Sequence, residues 1–120
     1  MIRKYYCGGF NGEMSTDGLI DSVREWRRNL HIDNPDKQML HCYEECAEAA
    51  RYIIREDWDI EKIKSELGDI AVAVIVLADI LGLDFSECLE VAHKKNEKRT
   101  GRVIKGNFVK SEDLNGGQGR

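Results

Sequence analysis

Among the carboxylates that stand three residues apart in this chain are two pairs on successive predicted helices, Glu45 with Glu48 and Glu66 with Asp69. On a helix, residues three apart share a face, so each pair points its charge in one direction. Like charges at that spacing cost a few tenths of a kcal/mol on an isolated helix, and two such pairs facing each other cost more unless a cation lies between them. Oxygen donors without thiolate or imidazole suit a hard ion, Mg²⁺ with Mn²⁺ as substitute. Glu44 is one residue out of phase with Glu45 and four before Glu48, a position suited to orienting or deprotonating a water. One acidic motif alone would read as a solvated helix face. The second pair opens a run that becomes apolar at Ile70, and this points to a metal site.

The basic residues are segregated. Between His93 and Lys110 seven Lys or Arg stand against one Glu, in a chain whose formal net charge is −4. Part of this run suits a helix C-terminus, where cations are favoured. Asn96 and Arg99 share a face at three-residue spacing, with Lys95 beside them, and all three suit phosphate oxygens. Glu90 and His93 have the spacing of half a di-iron carboxylate motif, but neither His31 nor His41 follows a Glu at that spacing. Cys42 and Cys46 stand one helical turn apart, with Cys7 and Cys88 remote, so zinc-finger spacing is absent and the thiols read as small buried groups. Trp26 and Trp58 read as packing residues, Trp26 also as a ring on which a nucleobase would stack.

These side chains need helices to position them. From Leu19 the apolar residues Ile20, Val23, Trp26 and Leu30 recur at spacings of three and four, which predicts an amphipathic first helix with Arg24, Arg27 and Arg28 on its wet side. Asp17 or a neighbouring hydroxyl caps it. Asn34 before Pro35 predicts the start of a second helix, running to about Arg55. Asp59 caps a third, whose half from Ile70 to Leu83 is apolar all round except for Asp79 and ends at Gly82. Asp84 with Glu87 reads as a capping box for a fourth helix, reaching about Arg99. Val103 to Val109 reads as a small hairpin. The fold class is therefore all-α: a four-helix core after an irregular lead-in over residues 1–18, a helical domain over 19–110, and a flexible tail over 111–120.

Taken together, Glu44-Glu45-x-x-Glu48, Glu66-Leu67-Gly68-Asp69 and Lys95-Asn96-x-x-Arg99 resemble the MazG-like, all-α nucleoside triphosphate pyrophosphatases, over about Leu19 to Lys110. The resemblance implies a dimer or tetramer that hydrolyses an NTP or dNTP to the monophosphate and pyrophosphate with Mg²⁺. Carried over by position, Glu45, Glu48, Glu66 and Asp69 are the metal ligands, and the resemblance points the same way as the spacing for Lys95, Asn96 and Arg99 as phosphate contacts. His41 stands where many relatives have Lys. Narrower relatives, of dUTPase or phosphoribosyl-ATP pyrophosphohydrolase type, and a non-enzymatic metal- or nucleotide-binding bundle are the alternatives.

Size and composition bound the rest. At 120 residues, 42% hydrophobic and 33% charged, the chain suits one globular domain. Its acidic balance argues against a nucleic-acid partner. The apolar run is shorter than the ~20 residues that cross a bilayer, so no membrane span is expected. Four cysteines, behind a start without an apolar run, point to reduced thiols in the cytoplasm. Four modest helices leave apolar surface on the third, which predicts a homo-oligomer, dimer or tetramer.

Overall fold

The computed structural model describes residues 14–55 and 59–116. Cys7, Trp58, the lead-in before Met14 and the end of the tail lie outside them. Four long helices, α1 (Thr16–Asn29), α2 (Pro35–Ile54), α3 (Ile60–Ile80) and α4 (Phe85–Glu97), precede an antiparallel hairpin, β1 (Gly101–Ile104) and β2 (Asn107–Lys110), and a short helix α5 (Ser111–Gly116). The chain divides into two compact units, one ending at Phe85 and one beginning at Ser86.

The helix ends follow local chemistry. Ser15 Oγ accepts from the Gly18 amide at 3.1 Å and starts α1 three residues before Leu19, so a hydroxyl is the cap and residues 16–18 are helical rather than irregular. Asn34 Oδ1 accepts from Lys37 N at 3.0 Å, with Pro35 at the first helical position. Asp59 caps α3 by accepting from the Glu61 and Lys62 amides. Gly82, at φ 73°, ends it: Gly82 N donates to Asp79 O and Leu83 N to Ala78 O, the paired bonds of a Schellman ending. His31 takes the same role after α1 at φ 55° without being glycine, its amide donating to Arg28 O while Ile32 N donates to Arg27 O.

In the first unit α3 packs against both α2 and α1. The core is Ile20 from α1, Cys42 and Ala49 from α2, and Ala73, Ile75, Val76 and Ala78 from α3. Asp79 is buried among them, and its partners correct the expectation that the α1 arginines face water. Arg27 Nε donates to Asp79 Oδ2 at 2.7 Å, Arg28 NH2 to Oδ1 at 2.8 Å, and Arg24 Nε lies 3.7 Å from Oδ1. The Arg24 and Arg27 side chains are 20% and 12% exposed, and only Arg28 is mostly in solvent. A carboxylate in an apolar helix must be paired, and the arginines turn inward to meet it. The third helix is not covered all round, for Leu67, Ala71 and Val74 are exposed along one face, and Leu81 is exposed at its end.

In the second unit Lys105 (φ 49°) and Gly106 (φ 80°) form the two-residue turn that pairs Ile104 with Asn107, as positive φ at both positions favours. Helix α4 stops at Glu97, two residues short of Arg99, whose amide donates to Asn96 O. Arg99 therefore lies beyond the helix and shares no helical face with Asn96; the chain is already turning into β1 at Gly101. The tail expected from residue 111 begins instead as α5, tied to the hairpin by Ser111 N donating to Thr100 O and Thr100 Oγ1 donating to Ser111 Oγ, both at 2.8 Å.

Candidate metal centre and nucleotide cavity

Helix α2 presents Glu45 and Glu48 toward Glu66 of α3, and one carboxylate oxygen from each lies within 4.8 Å of the others. The spacing that puts Glu45 and Glu48 on one face also puts Gln38, Cys42 and Ala49 on the buried side of α2, so the acidic pair continues the stripe that packs on α3. The Glu45 side chain is 13% exposed. Its Oε2 and the Oε2 of Glu66 are shielded from solvent and have no hydrogen-bond partner among the described residues. Buried carboxylate oxygens without a donor are costly, and here two of them converge. Burial, followed by the charge of Glu48, pushes the Glu45 carboxyl above its ordinary range; His41 acts the other way, and Asp69 and Glu66 add to the upward push. An all-oxygen, electron-rich set with unsatisfied lone pairs fits a hard divalent cation.

Of the expected ligands, three meet and the fourth stands beside them. Asp69 is exposed on α3 and lines, with Glu45, a cavity of about 170 Å³ whose other walls include Trp26, Gln38, His41 and Val76. Glu44 is on the open side of α2, its side chain 72% exposed, and does not join the cluster. His41 bridges the two neighbouring glutamates, with Nδ1 3.4 Å from Glu44 Oε2 and Nε2 3.1 Å from Glu45 Oε1. Trp26 is half-exposed, with its ring toward the cavity rather than wholly in the core.

Lys95, Asn96 and Arg99 belong to the second unit and are exposed. Arg99 lines a depression with Lys98, Thr100, Lys110, Ser111 and Glu112, whereas Lys95 and Asn96 lie on α4. Cys42 is buried as expected, and burial pushes its thiol up. Cys46 and Cys88 are exposed, against expectation: Cys46 falls one turn along α2 but off the stripe that Cys42 and Ala49 occupy.

Residues 33–104 match the MazG nucleotide pyrophosphohydrolase domain. The chain belongs to this family. No curated protein and no solved structure matches it. The MazG match covers Glu45, Glu48, Glu66 and Asp69 and runs through β1, while α1, with Trp26 and the arginines that hold Asp79, precedes it. Gln38 is the cavity residue that sequence reasoning passed over. Its signal was a polar side chain on the α2 stripe seven residues before Glu45, where an apolar one would serve packing better.

Proposed function

We propose that this MazG domain hydrolyses a nucleoside triphosphate, NTP or dNTP, to the monophosphate and pyrophosphate with Mg²⁺ or Mn²⁺ as cofactor. The observation that carries this reading is the convergence of Glu45, Glu48 and Glu66, with two shielded and unpaired oxygens, inside a nucleotide pyrophosphohydrolase domain. Glu45, Glu48 and Glu66, with Asp69 beside them, hold the cation. When bound it neutralises the crowded triphosphate and favours attack at the α-phosphorus.

The protein's own groups do the rest. Glu44 takes the proton of the attacking water once its side chain turns to the acidic cluster from the open side of α2, where its Oε2 lies 3.4 Å from His41 Nδ1. Water oxygen bonds to the α-phosphorus as the bond to the bridging oxygen breaks, and pyrophosphate leaves with the bonding pair. Lys95, Asn96 and Arg99 are the groups of the second unit suited to phosphate oxygens, Arg99 through its forked guanidinium and Asn96 by donating without adding charge. The exposed stripe along α3 supports assembly as a homodimer or homotetramer.

Phosphorus NMR of a panel of NTPs and dNTPs incubated with the protein tests the reading. The expected products are monophosphate and pyrophosphate, formed with Mg²⁺ or Mn²⁺ and abolished by EDTA. Orthophosphate as the sole released product would overturn the bond assignment, and turnover without metal would remove the role given to the carboxylates.

A further inference from the structure

The cavity beside the acidic cluster contains a polar side chain that the hydrolytic scheme does not use. Gln38 is 7% exposed, lines the cavity, and donates from Nε2 to the carbonyl oxygen of Ala73 at 3.0 Å. A carbonyl oxygen only accepts, so this bond fixes the amide: its NH₂ is held against α3 and Oε1 is the acceptor that remains. Nothing else among the described residues bonds to it. A side chain anchored in this way cannot turn its amide over to suit a different partner.

Gln38 and Glu45 both line the cavity and stand seven residues apart on α2, about two turns and roughly 10 Å along the helix. With the phosphates at the acidic end, a bound nucleotide brings to Gln38 the edge of its base that lies farthest from the sugar. Trp26 on one side and Val72 and Val76 on another offer apolar walls for the ring faces. On that far edge cytosine and adenine carry an amino donor, whereas uracil and hypoxanthine present a carbonyl oxygen there. Two oxygens face to face repel.

We propose that Gln38 selects the base, and that the substrates are nucleotides whose base carries an amino group on the edge remote from the sugar. The placement of the phosphates rests on the function proposed above. An acceptor held in place by its neighbours discriminates against a base that offers it no donor, so kcat/KM is expected to favour dCTP over dUTP, and dATP over dITP, by at least about tenfold.

The test measures pyrophosphate release from these two pairs by the wild type and by Gln38→Met, which keeps the bulk and removes the amide. The amino-to-oxo ratio should exceed tenfold in the wild type and fall toward one in the variant. Pyrophosphate release with a wild-type ratio near one in both pairs, or a ratio unmoved by the substitution, overturns the selection and leaves the hydrolytic function standing. Absence of pyrophosphate from every nucleotide overturns the function instead. The base preference is then read from calorimetric binding of dCMP against dUMP, where equal affinity overturns it as well. Should Gln38→Met fail to fold, the wild-type ratios alone decide.

Discussion

Arg27 of α1 donates from Nε to the Asp79 carboxylate of α3 at 2.7 Å, across 52 positions of sequence. The contact joins the helix that walls the cavity to the helix that supplies Glu66. Burial acts to raise the Asp79 carboxyl, but hydrogen bonds from Arg28 and Arg27 and their charges outweigh it and hold the group below the usual carboxylate range.

Asp79→Asn is expected to lower unfolding stability by on the order of 3 kcal/mol, because it leaves partly buried guanidinium groups without their counter-charge. The pH dependence follows from the lowered folded-state value. The contribution of Asp79 is complete above the unfolded-state value of about 3.9 and is lost as pH falls through the folded one. Urea unfolding should therefore give a wild-type minus variant difference that is constant from about pH 5 to 8 and shrinks below about pH 4. A difference that grew on acidification would contradict this.

The acidic cluster predicts the opposite sign. Glu45 is raised, so in metal-free protein its contribution falls as pH rises from the unfolded value of about 4.3 through the folded one. Glu48→Gln removes the charge that acts most on Glu45 and should keep or raise unfolding stability in EDTA, by a few tenths of a kcal/mol or more, with the gain larger at pH 7 than at pH 4. Hydrolytic activity should be lost. Near wild-type turnover at saturating Mg²⁺ would remove Glu48 from the ligand set.

The proposed assembly through α3 can be tested separately from folding. Val74 is 38% exposed and Ile75 is 7% exposed, although they are adjacent. Val74→Asp should give a folded protein of reduced mass by light scattering, and Ile75→Asp an unfolded or aggregated one. A wild type that is monomeric at micromolar concentration would defeat the homo-oligomer.

Arg99→Ala and Asn96→Ala should raise KM or lower kcat while leaving Mg²⁺ binding without nucleotide unchanged. A cation placed only to suit a helix end would instead cost roughly 0.3 to 1 kcal/mol of stability with ordinary kinetics. The second outcome is weakened for Arg99 already, since α4 ends before it.

Much of the fold was legible because its signals are local. Asn34-Pro35, Asp59 and Gly82 mark helix ends through bonds made within a few residues, and the apolar run of α3 was too long for an ordinary strand. The carboxylate pairs were legible for the same reason, as three-residue spacing fixes their face. What sequence reading missed depends on contacts between helices. The inward turn of Arg24 and Arg27 is set by Asp79, about fifty positions away, and Gln38 gains its meaning from the Ala73 carbonyl. His31 ends α1 in a conformation that glycine would have announced. Arg99 left the helix because the hairpin takes over the chain, which periodicity alone does not register.

In the proposed function, Glu45, Glu48 and Glu66 together hold the divalent cation that hydrolysis requires. Titration of the folded protein with Mn²⁺, followed by the paramagnetic resonance of the free ion, tests it most directly. Saturable binding by the wild type is expected, weakened at least about tenfold in Glu66→Gln, with pyrophosphate release falling in parallel. Equal Mn²⁺ affinity in the wild type and Glu66→Gln, or pyrophosphate release that persists in the variant at wild-type metal dependence, would contradict it.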